Sequence, residues 1–312
     1  FQRCILSPYL RRESFHWLDI MISIALWALF TVTHGSDYKI VGPITPHFNL
    51  WLTNNGYASD DFAKVGYGTQ GSYGGKTSDD QKLNFAPVVF IHGNSDAALR
   101  TGTGFESMSG WEDTIDYFQK KGYSPAELYA TSWGDTNPLH GSLRTHDCAT
   151  TMRLRRFLQA VQNYTGAAKV NLITHSMGVT LGRKIIKGGK ISASDGNCDV
   201  GIPLRYVDVF VGLSGANYGL CNCEGVGVAE PTCNKDDGLW PGDSCGMNYL
   251  DCGLATLPFS CSGPTYSQFL TDLNGDFDQE AKRVVSAWSA SDELIMYGDY
   301  VWGRPTSLIP RS

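Results

Sequence analysis

The chain has 312 residues, 42% hydrophobic and 18% charged, with a formal net charge of −6. That is enough apolar material for one large core, and the length does not demand a second domain. Lys and Arg form no sustained run, so the electrostatic footprint of a nucleic-acid-binding protein is missing and such a partner is not expected.

The first feature from the N-terminus is an uncharged apolar run, residues 21–32, followed by Thr33-His34-Gly35-Ser36. It falls short of the ~20 residues that span a bilayer and fits the hydrophobic region of a signal peptide. Cleavage is expected near Gly35 and Ser36. Residues 1–35 are therefore read as an upstream segment with a signal peptide, and 36–312 as the mature domain, with no transmembrane anchor after processing. Because the chain begins with Phe1, either the true start lies upstream or Met21 starts translation.

Cysteine usage agrees with export. Cys4 precedes the cleavage point, and Cys148, Cys198, Cys221, Cys223, Cys233, Cys245, Cys252 and Cys261 follow it. An even set suits disulfides in an oxidising compartment, and its connectivity stays open at this level. Six of these cysteines crowd into 221–261, where histidine and the Cys-x-x-Cys spacing are both absent, so a zinc site is not expected. Asn163-Tyr164-Thr165 is a glycosylation sequon if the protein is secreted.

Residues 36–80, rich in Gly, Asp, Ser and Asn, read as a surface approach to the first core strand. Gly71 to Thr77 is one residue short of a phosphate-binding loop and follows no strand, so it is rejected as one. From residue 86 the pattern alternates. Strand 87–91 precedes helix 111–121 and strand 127–132. A long amphipathic helix over about 145–163 places Met152, Leu154, Phe157, Leu158 and Val161 at helical spacing, with Arg153, Arg155 and Arg156 as its solvated face. Strand 169–174, helix 177–187, strand 206–213 and strand 283–288 complete the set. Such alternation predicts an α/β protein with a mostly parallel, doubly wound sheet and a ligand site beyond the carboxyl ends of its strands. Residues 218–264 interrupt the pattern and read either as a disulfide-braced, Cys-rich insertion over or beside the ligand site, where it shapes the pocket, or as a stabilising surface loop.

Two strand ends carry the chemistry. The run Val170 to Ile173 breaks at Thr174-His175-Ser176-Met177-Gly178 and a helix follows at once, which is the setting of a nucleophile elbow presenting a serine hydroxyl. Small residues are needed where strand and helix pass; Gly178 meets that need, whereas Thr174 stands where glycine is usual. Upstream, Val88-Val89-Phe90-Ile91 gives way to His92-Gly93-Asn94, a position suited to the second donor of an oxyanion hole. The expected donors are the backbone amides of Met177 and Asn94.

Together, Pro-Val-Val-Phe-Ile-His-Gly-Asn (87–94) and Leu-Ile-Thr-His-Ser-Met-Gly (172–178) resemble the α/β-hydrolases, and within them the class 2 lipases. Gly110-Trp111, Tyr129 to Asp135 and Val209 to Asn217 extend the resemblance to roughly residues 40–310. It implies a secreted hydrolase of carboxylic esters, with acylglycerols as substrates, an acyl-enzyme on Ser176, no cofactor or metal, and transient contact with lipid interfaces. The family places its acid just after the strand at 283–288, which selects Asp292, with Glu293 and Asp299 behind it. A serine also needs a base. The histidines are His16, His34, His47, His92, His140, His146 and His175, and none follows Asp292. Two explanations compete: a reading frame that continues past Ser312 to the base, which is the favoured one, or a catalytically silent relative that binds lipid or a protein.

Overall fold

Apolar runs closed by small or polar residues become the strands of one sheet in the computed structural model, which describes residues 40–101, 108–226, 229–242, 252, 264–295 and 299–312. The strands are β1 (Ser72–Tyr73), β2 (Val88–Ile91), β3 (Leu128–Thr131), β4 (Val170–His175), a hairpin of β5 (Lys190–Ala193) with β6 (Gly196–Asp199), β7 (Val207–Leu213), β8 (Arg283–Ala287), and a short pair, β9 (Tyr300–Val301) with β10 (Arg304–Pro305). Six of them form the central sheet in the order β1-β3-β2-β4-β7-β8. Every neighbour is parallel except β1, which lies antiparallel on β3 at the edge.

Helices cover both faces, as the near-continuous apolar strands require. They are α1 (Pro46–Asn54), α2 (Glu112–Lys120), α3 (Cys148–Thr165), α4 (Met177–Lys187), α5 (Asn222–Val226) and α6 (Gln268–Gly275). Alternation along β2 divides the core. Val89 and Ile91 join Phe48, Phe157, Leu158, Leu181 and Phe210 under α1, α3 and α4, whereas Val88 and Phe90 join Trp111, Ile115 and Phe118 under α2. The two-residue side-chain period of a strand is what sorts them.

The expected strands and helices from residue 86 onward are found, with ends shifted by at most a few residues. Two readings need correction. Residues 36–80 are more than a surface approach: Thr45 caps α1 by accepting the Phe48 amide at 3.2 Å, with Pro46 in the first turn, and Phe48 and Leu52 are buried in the core. Phe48, Trp51 and Leu52 make its whole core-facing group, one helical turn of pattern, too short to stand out in a Gly- and Asn-rich stretch. The arginines of α3 are not a solvated face either. Arg155 is 5% exposed and donates to the carbonyls of Ile185 (2.7 Å) and Ile202 (2.6 Å). Arg153 donates to the carbonyls of Asp60 and Ser132, and Arg156 pairs with the Asp60 carboxylate at 2.8 Å. The Arg153 and Arg155 guanidinium groups serve here as multiple donors for carbonyls of loops and of the last turn of α4.

Three disulfides are described: Cys148–Cys198 ties the start of α3 to β6, while Cys221–Cys252 and Cys223–Cys233 brace the insertion. Cys245, Cys261 and the apolar run at 21–32 lie outside the described residues. The described part of the insertion is packed, with Leu239 and Trp240 buried against Phe269 and Leu270 of α6. No described helix is long and apolar enough to cross a membrane.

Candidate active site

Strand β4 ends on His175, α4 begins on Met177, and Ser176 makes the whole turn between them at φ 53°, ψ −129°. A non-glycine residue at positive φ costs of order 1–3 kcal/mol and persists only where its surroundings over-determine it. Here the Ser176 amide donates to the Leu213 carbonyl of β7 at 2.9 Å, which pins the turn to the next strand. The serine hydroxyl has no hydrogen-bond partner among the described residues and is partly exposed.

Close approach explains the small residues around it. A Cβ on Gly178 would lie 2.4 Å from the His92 carbonyl oxygen, and one on Gly182 would lie 2.8 Å from Thr174 Cγ2. Thr174 therefore takes the place of the usual glycine because the facing helix position, Gly182, leaves room for its methyl. Its hydroxyl is satisfied by donating to the Val211 carbonyl at 2.9 Å.

The loop after β2 meets this turn. A Cβ on Gly93 would come within 2.8 Å of Ser176 Cβ and 3.4 Å of its Oγ, so Asn94 follows directly beside the nucleophile candidate. Met177 is the first residue of α4, where backbone amides have no intrahelical acceptor. The Asn94 side chain is tied into the loop's surroundings: Nδ2 donates to the Gly141 carbonyl at 2.8 Å, and Oδ1 accepts from Ser95 and Arg144. Its backbone amide donates to no acceptor among the described residues and is open to a ligand.

His92 is a structural member of this loop. The Trp133 amide donates to its Nε2 at 2.9 Å, so Nε2 is the acceptor and Nδ1 carries the proton given to the Gly93 carbonyl at 2.7 Å. The Trp133 ring stacks on it, with an interplanar angle of 8°, and the indole N–H donates to the His92 carbonyl. Burial drives its pKa down to about 3. Between the ordinary value near 6.5 and about 3, the unfolded chain binds a proton here that the folded chain does not, so this site's contribution to stability falls as the pH drops through that window. In ¹⁵N NMR, the His92 ring is expected to stay neutral and Nδ1-protonated at pH 5; a protonated ring at that pH would refute this assignment.

Across the sheet, the loop after β8 carries Asp292. Its Oδ1 accepts the amides of Leu294 (3.0 Å) and Ile295 (2.8 Å), and the carboxylate acts electrostatically on His175, opposing the larger effect of burial, which lowers that imidazole's pKa. Elbow and acid loop thus share the carboxyl edge of the sheet. Asp299 is fully buried, its carboxyl taken up by the Ser307 hydroxyl and amide, and burial pushes its pKa up to about 7. Glu293 is exposed. The other histidines are occupied: His146 lies buried between the Asp237 carbonyl and the Thr180 hydroxyl, and His140 pairs with Asp135. No described histidine hydrogen-bonds to Ser176 or Asp292. Sequence reading gave no role to Arg144 or Trp133, which hold the loop after β2; the Tyr129 to Asp135 motif contains Trp133, and no sequence signal marked Arg144.

A serine on a strained strand-to-helix turn of a mostly parallel sheet, facing a His-Gly loop and an acid loop on the same edge, defines an α/β-hydrolase fold. The chain belongs to the lipase (class 2) family, whose profile matches residues 85–312. Among solved structures it is similar to the mature Bacillus licheniformis lipase BlEst2 (14% identity, 69% of this chain and 71% of that one, TM-score 0.37). It is also similar to the Legionella pneumophila phospholipase PlaB (20% identity, 62% and 36%, TM-score 0.33) and to Aspergillus fumigatus lipase B (12% identity, 48% and 29%, TM-score 0.30). The chain therefore spans less than a third of the Aspergillus lipase. No curated protein matches it. These structural likenesses are distant, and membership of the family rests on the profile.

Proposed function

We propose that the protein is a secreted serine hydrolase of carboxylic esters, acting on acylglycerols. The observation that carries this reading is the Ser176 hydroxyl, without a hydrogen-bond partner among the described residues, on its strained turn with Gly93 packed against it. In this mechanism Ser176 Oγ attacks the ester carbonyl and the Met177 and Asn94 amides donate to the developing oxyanion, each worth about 3–4 kcal/mol of barrier. A base takes the serine proton and returns it to the leaving alcohol. Water then attacks the acyl-enzyme, and the acid is released. Asp292 orients the base and balances its charge. Among the carboxylates after β8 it suits this role best, because Asp299 is committed to Ser307 and Glu293 stands in solvent. Export is supported by the three disulfides and fits an exposed sequon at Asn163 on α3.

The test is a fluorophosphonate probe on protein expressed from its complete reading frame, followed by peptide mapping and a panel of acylglycerols. Covalent label on Ser176 with acylglycerol turnover is the expected result. A folded protein that neither labels nor hydrolyses any ester would instead make this a silent binder of lipid or protein.

A further inference from the structure

The loop that carries Asn94 is held in an unfavourable backbone state. Ser95, next to it, has φ 68°, in a region that a non-glycine residue leaves unless neighbours hold it there. The hold comes from Arg144, at the end of the short 3₁₀ segment Pro138–Leu143. Its Nη1 donates to Asn94 Oδ1 at 3.1 Å, to Ser95 Oγ at 2.8 Å and to the Asn137 carbonyl at 3.3 Å, and Nη2 donates to that same carbonyl at 3.2 Å. The Asp135 carboxylate pairs with the same guanidinium and is itself paired with His140 on the solvent side. Asn94 Nδ2 closes the ring by donating to the Gly141 carbonyl at 2.8 Å. The Arg144 side chain is 9% exposed, so it is spent on the protein rather than presented to a ligand.

We propose that Arg144 is a positioning residue for the oxyanion hole: acting through Asn94 Oδ1 and Ser95 Oγ, it fixes the direction of the Asn94 amide. The inference rests on the ester-hydrolase reading given above for what that amide does. A flat, forked donor fits the task, since one guanidinium nitrogen reaches two side chains on the loop while the other meets Asp135; the single ammonium of lysine cannot do both.

Two measurements on the complete-reading-frame protein test it. The first is hydrogen exchange by mass spectrometry on wild type and Arg144→Ala. Exchange of residues 93–96 is expected to speed up about tenfold or more, with β4 and α4 unchanged; unaltered exchange in the loop would overturn the proposal. The second is kinetics with a soluble p-nitrophenyl ester. Arg144→Ala is expected to lower kcat roughly 30- to 100-fold, the scale of a misplaced oxyanion donor, while KM stays within about twofold. Because the two residues act as one unit, Arg144→Ala/Asn94→Ala should fall within about threefold of the poorer single variant. A raised KM with kcat retained would make Arg144 a substrate contact, and multiplicative losses would make it independent of Asn94; either result overturns the proposal. If Arg144→Ala does not fold, Arg144→Lys and Asn94→Ala carry the same two measurements. A wild type that folds but shows no ester turnover and no Ser176 label defeats the hydrolase reading, while the exchange result still decides whether Arg144 holds the loop.

Discussion

Ser176→Ala is expected to lower kcat/KM for ester hydrolysis by about a millionfold while leaving the fold almost untouched. The size follows from how a nucleophile, base and acid act as a unit: losing the nucleophile costs about as much as losing all three, roughly 10⁶ in kcat. The selectivity follows from the site. No described group hydrogen-bonds to the Ser176 hydroxyl, and the bond that pins the turn is made by its backbone amide to Leu213. Alanine keeps that amide and meets the same positive φ, so stability should stay within about 0.5 kcal/mol of wild type. Steady-state kinetics paired with urea denaturation gives both numbers. Residual turnover within about a hundredfold of wild type, in a folded variant, would mean that another group does the chemistry.

Gly178→Ala should be the most damaging single-atom change near the site. Two effects oppose each other. Alanine favours a helix over glycine by about 1 kcal/mol, which argues for stabilisation. Against it, the new Cβ would lie 2.4 Å from the His92 carbonyl oxygen and 2.8 Å from that of Ile91. Those oxygens belong to backbone that is held in place: Ile91 is paired with Thr174 of β4, and the His92 carbonyl accepts the Trp133 indole N–H, so neither can yield. The helix start must move instead, at a cost of about 1–3 kcal/mol for overpacking. Displacing the Met177 amide and Ser176 by about 1 Å adds roughly a hundredfold loss in kcat. Gly275→Ala, at the end of α6 where a Cβ meets nothing within 4 Å, is the control and should be neutral or slightly stabilising. A Gly178→Ala enzyme with wild-type activity and stability would show that the elbow has slack where the geometry allows none.

Much of the fold was legible because periodicity and chain breaks are local. The buried run 88–91, the elbow helix at Met177–Lys187 and the strand Val207–Leu213 each announce themselves within a dozen residues. The elbow was legible for the same reason: a turn of one residue between strand and helix admits few side chains. What escaped lies in pairings far apart in sequence. Thr174 looked ill-suited until Gly182 was found facing it. Arg155 looked solvent-bound in a run of arginines, yet it reaches carbonyls 30 and 47 residues away. Edge strand β1 has only two residues, too short for a pattern, and forms because β3 offers a free edge.

The sequence alone thus determined the order of the five parallel strands and of helices α2, α3 and α4, the serine turn and the small residues that let helix and strand pass, since sterics and hydrophobic period act between near neighbours. Only the tertiary structure decided which histidines are spoken for, that Asp299 is committed to Ser307, and that Arg144 grips Asn94 across 50 residues of chain. Hydrogen bonds between distant side chains depend on where the sheet brings its loops together, and no local pattern encodes that.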